Sequence, residues 1–126
     1  MKICVTATAN SLDAQIDPRF GRCSYLIVVD SETMQFEAIP NMAAGASGGA
    51  GIQAAQTIAK KDVKLLITGN VGPKAFQALA SARIEVATGA FGTVRDAVEK
   101  YKRGELSNTD APTVGGHFGM GGRGGR

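Results

Sequence analysis

Three groups of residues in this chain have types and spacing that suit ligand binding. Two glycine-rich turns open helices: Ser47-Gly48-Gly49-Ala50-Gly51 and Gly69-Asn70-Val71-Gly72. The first backbone N–H groups of a helix have no partner inside it, and the helix dipole adds partial positive charge there, so such turns suit anions. The second group is Pro18-Arg19-Phe20-Gly21-Arg22-Cys23, with two guanidinium groups and a thiol. A thiol beside cations has a lowered pKa, and the thiolate is the metal-binding form. The third is His117, the sole histidine, which lies near Met120 in the glycine-rich C-terminal stretch. Imidazole and thioether are donors for soft and borderline metals.

Each group also has a plainer reading. Glycines at helix starts serve as tight turns, loop arginines as solvated charges, and a lone histidine near a terminus as an incidental residue. Cys4, within an apolar alternation, reads as a small core side chain. No Gly-Lys-Ser/Thr sequence marks a phosphate loop, and the Gly49–Gly51 spacing is too weak for a dinucleotide fingerprint. Proton-transfer catalysis requires His, Asp or Glu held in a pocket. Here the only histidine lies beyond the patterned body, and Asp13 and Asp17 share a single loop, so a non-enzymatic binding protein is expected.

The positioning elements follow from hydrophobic period. Residues 2–8 alternate, with Ile3, Val5 and Ala7 opposite Cys4, Thr6 and Thr8, and predict a strand. Residues 9–22 form a long polar loop, a length that favours a functional role. Residues 24–30 and 33–39 predict two strands joined tightly at Ser31-Glu32, hence an antiparallel hairpin. A helix is expected over residues 49–60 with Ile52, Ala55 and Ala59 inward. A strand follows at 64–68, then a helix at 73–82 that starts on Pro73 and buries Phe76 and Leu79. The last strand is 84–87. Thr93 and Asp96 predict a capped start for a final helix, with Gly104 at its end.

The order β-β-β-α-β-α-β-α implies an α/β fold with a mixed five-stranded sheet. Ligands of such sheets favour the carboxyl ends of the parallel strands. Both glycine turns and Thr88-Gly89-Ala90-Phe91-Gly92 belong at such an edge. The spacing does not show whether residues 18–23 reach it.

Composition bounds the rest. The chain has 126 residues, 44% hydrophobic and 20% charged, so one domain with a real core is expected. Arg123 and Arg126 supply two of the net +3 charges, which leaves 12 basic residues against 11 acidic ones. The charge therefore says little about nucleic acid. No apolar run is long enough to span a membrane, no leader pattern precedes residue 2, and two cysteines make no disulfide framework. A cytoplasmic setting is expected. Of the 17 glycines, seven lie in residues 113–126. The domain reading is a body over residues 1–108 and a glycine-rich tail over 109–126. Residues 33–39 could form an open edge strand, so a monomer or weak homodimer is expected.

Met1-Lys2-Ile3, Arg19-Phe20-Gly21-Arg22 and Ser47-Gly48-Gly49-Ala50-Gly51-Ile52-Gln53-Ala54-Ala55-Gln56 resemble the dinitrogenase iron–molybdenum cofactor biosynthesis family. So do Gly72-Pro73-Lys74-Ala75-Phe76 and the Gly92-Thr93-Val94 helix start with Gly104-Glu105-Leu106. The resemblance covers residues 1–106. It implies a ribonuclease H-like, three-layer fold used as a binding module. It also implies a metal–sulfur cluster as cargo, either iron–molybdenum cofactor-like or a molybdenum or copper sulfide, with donor and acceptor proteins as partners. Carried over by position, Arg19, Phe20, Gly21, Arg22, Ser47, Gly48, Gly49, Gly51, Gly69 and Gly72 are the expected cofactor-binding residues. Cys23 and His117 match no family motif and stand as candidate metal ligands on their own chemistry. Two alternatives stay open: a ribonuclease H-like nuclease or phosphotransferase, and nucleic-acid binding through the Gly/Arg tail.

Overall fold

The structure, a computed structural model, describes residues 1–45 and 48–113. Six strands form one mixed sheet: β1 (Lys2–Ala7), β2 (Tyr25–Asp30), β3 (Phe36–Pro40), β4 (Leu65–Ile67), β5 (Glu85–Ala87) and β6 (Asn108–Thr109). Three helices accompany them: α1 (Ala50–Ala59), α2 (Pro73–Ser81) and α3 (Val94–Lys102). A short 3-10 turn, Met42–Gly45, precedes α1. The sheet order is β3-β2-β1-β4-β5-β6. β1, β4 and β5 run parallel, while β2 opposes β1 and β3 opposes β2. β3 therefore ends at the same sheet edge as β1, β4 and β5.

Strand period divides the core between two faces. Cys4, Leu26, Val28 and Leu66 point to the layer that holds Ala54, Ala55 and Ile58 of α1 and Leu79 of α2. Ile3, Val5, Ile27, Val29, Leu65 and Ile67 point to the opposite layer, where α3 contributes Val94, Ala97 and Val98. Helices thus cover both faces, which is why the central strand β1 is buried from Ile3 onward despite its alternating pattern.

The structure departs from expectation at four points. The sheet has six strands, not five: β6 pairs antiparallel with β5, matching Val86 with Thr109 and Ala87 with Asn108. Two residues without apolar alternation carry no strand signal, yet they cover what would be an open edge. Contacts with the body continue to Thr113, which bonds to Val71. Secondly, β3 begins at Phe36 rather than residue 33. The Asp30 carboxylate accepts from the N–H groups of Glu32 (2.8 Å) and Thr33 (3.3 Å), and Met34 lies at φ 63°, so these residues form the hairpin turn. In α1, Ile58 is the buried anchor and Ile52 is half-exposed. Phe76 is only partly buried, whereas Leu79 is fully so.

The start of α3 matches its sequence pattern. Asp96 N–H donates to Thr93 Oγ1 (3.0 Å) and Thr93 N–H returns to Asp96 Oδ2 (3.3 Å), closing a capping box. Gly104 takes the left-handed conformation just past the helix end. Among the described residues no helix is long and apolar enough to cross a membrane.

Candidate functional site

The loops that leave β1, β4 and β5 are stitched together at the carboxyl edge. Asp17 N–H donates to Thr6 O (3.0 Å), which returns the long first loop to the end of β1. Thr6 Oγ1 donates to Asp17 O (2.6 Å) and pairs with Thr68 Oγ1 (2.8 Å), and both threonines are fully buried. Asn70 N–H donates to Pro18 O (2.8 Å), and Gly89 N–H to Gly69 O (2.9 Å). Residues 17–22, including the two arginines, therefore do reach the edge that spacing alone left open.

Next to this seam, α1 and α2 begin side by side. Residues 49–52 and 72–75, with Phe20 beneath them, line a groove of about 370 Å³. Three segments meet here because side chains are missing. A Cβ on Gly21 would lie 2.9 Å from Gly51 Cα, and a Cβ on Gly51 would lie 2.7 Å from Ala75 Cβ.

The electrostatic character of the groove comes from what these helix starts lack. Neither Gly49 before α1 nor Gly72 before α2 provides a side-chain cap, and neither first turn holds an acidic residue. Gly49 O is occupied by Gln53 N–H (2.9 Å) and Gly72 O by Phe76 N–H (2.9 Å). The N–H groups of Ala50, Gly51, Ile52, Lys74 and Ala75 then have no acceptor within their own helices. α3, which stands on the other face, has both the cap and the acid. Among the described residues, the only charged side chain lining the groove is Lys74. Two uncapped helix starts and an ammonium group form a preorganised donor set for an anion.

The chain matches a known family along most of its length. Residues 1–104 fit the family described as dinitrogenase iron-molybdenum cofactor. It belongs to that family. Among solved structures, it resembles the apo form of the orange protein of Desulfovibrio gigas, with 45% identity and a TM-score of 0.87 over 90% of this chain and 96% of that one. A NifB-like Thermotoga protein of the DUF35 family shows 30% identity and a TM-score of 0.79, over 90% of this chain and 97% of that one. An uncharacterized protein of Methanocaldococcus jannaschii is 29% identical over 109 residues, 84% of this chain and 89% of its own.

In this family member the expected site residues sort into different roles. Phe20, Gly49, Gly51 and Gly72 line the groove. Gly48 lies beside it, with open space where a Cβ would stand. Gly21 and Gly69 act by close approach: Gly21 meets α1, and a Cβ on Gly69 would sit 2.6 Å from Pro18 Cα. Arg19 turns to Asp17, a buried carboxylate, with Nε 3.3 Å from Oδ1, and Arg19 N–H also donates to Oδ1 (3.0 Å). That bond and charge hold the exposed guanidinium still more firmly protonated. Arg22 donates from Nη1 to Ala44 O (2.9 Å), tying this arm to the turn that precedes α1. Ser47 and His117 lie outside the described residues. Sequence reasoning did not single out Lys74 as a site residue, because one lysine after a helix-initiating proline has no motif of its own.

Cys23 requires a correction. Two neighbouring arginines were expected to lower its pKa, but burial pushes the thiol up from 9.0 to about 11, with the Asp17 charge adding to the rise. Arg19 and Arg22 are engaged by Asp17 and Ala44 O, while Cys23 is fully buried among Cys4, Phe20 and Leu26. Burial raises the Cys4 thiol as well. A raised folded pKa means that Cys23 contributes stability in full below about pH 9, and this is lost as pH rises through about 11. At pH 8, iodoacetamide is expected to label Cys23 of the folded chain roughly a hundredfold more slowly than in the urea-unfolded chain, and Cys4 more slowly as well, as followed by mass spectrometry. Rapid labelling of Cys23 in the folded chain would restore it as an available thiolate. Among the described residues, no three His, Cys, Asp or Glu side chains cluster to hold a metal ion. The carboxylate-based nuclease alternative therefore has no observation behind it.

Proposed function

We propose that this protein is a non-enzymatic carrier or chaperone for an anionic metal–sulfur cluster, either iron–molybdenum cofactor-like or another molybdenum, iron or copper sulfide. The observation that carries this reading is the groove between two uncapped helix starts, edged by Lys74 and lined by no acidic side chain among the described residues. Sulfides of such a cluster accept hydrogen bonds, and its net negative charge is offset by dipoles and an ammonium without any bond to the metal. Membership of the iron–molybdenum cofactor family supports the cargo class, and a 45% identical relative solved in an apo form is consistent with a site that can be filled. A ribonuclease H-like arrangement of the three layers, a cytoplasmic setting, donor and acceptor proteins, and a monomer or weak homodimer belong to the same reading.

The test is anaerobic reconstitution. The protein is incubated with tetrathiomolybdate, alone and with copper(I) or iron(II), then passed through a desalting column. The expected result is a visible charge-transfer band that elutes with the protein and is weakened in Gly49→Val, which places a branched side chain at a left-handed helix start. If the protein emerges colourless from every combination, the carrier reading fails.

A further inference from the structure

The turn from β4 into α2 is bonded to two separate segments of the chain. Asn70 N–H donates to Pro18 O (2.8 Å), and Asn70 O accepts from Phe20 N–H (3.4 Å), both in the long first loop. The next residue, Val71, is bonded to Thr113. Val71 N–H donates to Thr113 Oγ1 (2.8 Å), and Val71 O accepts from Thr113 N–H (2.9 Å) and from its hydroxyl (3.3 Å). One threonine thus satisfies both backbone groups of a buried residue. Val71 directly precedes Gly72, which lines the groove, and Pro73, whose ring fixes φ at the start of α2. Little freedom separates Val71 from the N–H groups of Lys74 and Ala75, so the placement of Val71 sets where those donors point.

Thr113 is brought there by a short strap, residues 108–113. β6 pairs Asn108 with Ala87 and Thr109 with Val86. Asn108 Nδ2 donates to Glu85 Oε1 (2.6 Å), and the hydroxyls of Thr88 and Thr109 are bonded to each other. Pro112 stiffens the last step before Thr113. β6 is only two residues long, and Asn108, Asp110 and Ala111 are exposed, which places opening of the strap at the low end of local unfolding energies. The family match ends at residue 104, ahead of the strap. A segment that opens locally and holds one wall of a groove is coupled to any ligand that favours the docked state.

We infer that Thr113 is a positioning residue for the groove: docked on Val71, the strap aims the α2 donors at the bound anion, and undocking lowers the affinity. The coupling is reciprocal, so a bound anion also holds the strap down. The inference rests on the carrier reading for its cargo, but the positioning can be read without cargo.

The experiment compares the full chain with Thr113→Val and Thr113→Ser. The valine keeps the shape and leaves Val71 N–H without its acceptor, and the serine restores the hydroxyl. Val98→Ala, a buried change in α3 on the opposite face of the sheet, is the stability control. Tetrathiomolybdate affinity is measured anaerobically, well below the melting temperature of every chain, and amide spectra are recorded with and without the anion. Thr113→Val is expected to bind at least about fivefold more weakly, with Thr113→Ser close to the parent. Val98→Ala is expected to melt lower and bind like the parent. Without anion, the Lys74 and Ala75 amides are expected to shift in Thr113→Val and to return in Thr113→Ser. In the parent, the anion is expected to slow exchange of Val71 N–H by a factor similar to the affinity loss. Equal affinity in Thr113→Val and the parent would overturn the coupling, as would a Thr113→Ser chain no better than Thr113→Val. An equal loss in Val98→Ala would also overturn it, by tracing the effect to stability at large. If no chain takes up tetrathiomolybdate, the carrier reading fails and the anion-free amides decide the positioning: unmoved Lys74 and Ala75 in Thr113→Val overturn it, and shifts reversed by serine uphold it.

Discussion

Gly21→Ala is expected to cost about 2–4 kcal/mol of stability and to lower the melting temperature by on the order of 10 °C. Two effects coincide at this residue. Its φ of 97° lies where an L-side chain is strained by about 1–3 kcal/mol. The added Cβ would also meet Gly51 Cα and N at 2.9 Å, and these are backbone atoms of a helix start that cannot rotate aside. To relieve the contact, either the 17–22 arm must lift or α1 must shift, and the groove opens in both cases. Gly48→Ala is the matched control, because nothing stands within 4 Å of its Cβ and its φ lies outside the strained range. Its melting temperature should stay within experimental scatter of the parent. Differential scanning calorimetry of the three chains decides the matter: if Gly21→Ala melts with the parent, the arm is not held by backbone contact with α1.

How much of this was legible in the sequence depends on where each signal lies. The helices and inner strands were readable because period, caps and breakers agree locally: Thr93 with Asp96, Pro73 at the start of α2, Gly104 past the end of α3. β6 was not, since it exists only by pairing with β5 and has no apolar pattern. The hairpin shift to Phe36 comes from one side chain, Asp30, which accepts two turn N–H groups. In the site, glycine turns at strand ends were visible as a class, but their division into lining and packing glycines was not. That division depends on which neighbour faces each missing Cβ: Ala75 for Gly51, Pro18 for Gly69, open space for Gly48. The electrostatics of Cys23 misled for a related reason. Adjacency in sequence placed two guanidinium groups beside the thiol, whereas Asp17 and Ala44 O engage them and packing buries the sulfur.

Lys74→Glu is expected to separate the anion site from the fold. The residue is exposed at the second position of α2, where a carboxylate interacts favourably with the helix dipole by about 0.3–1 kcal/mol. The variant should therefore melt at the parent temperature or slightly above it. Binding should move the other way. The only charged side chain lining the groove among the described residues changes sign, and the new carboxylate competes with cargo for the N–H groups of both helix starts. Reversing a charge at contact distance in a partly screened groove is worth about 1.4–2.8 kcal/mol, or about 10–100-fold in dissociation constant for tetrathiomolybdate. Lys74→Gln, which removes charge without adding any, should fall between the two. Salt gives the internal check: raising ionic strength from about 0.05 to 0.5 M shortens the screening length several-fold and should draw the three affinities together. Charge acting at the groove requires lost affinity with unchanged melting. Lost affinity with lost stability would point to damage in α2, and unchanged affinity would remove Lys74 from the site and leave the backbone donors of α1 and α2 to hold the anion alone.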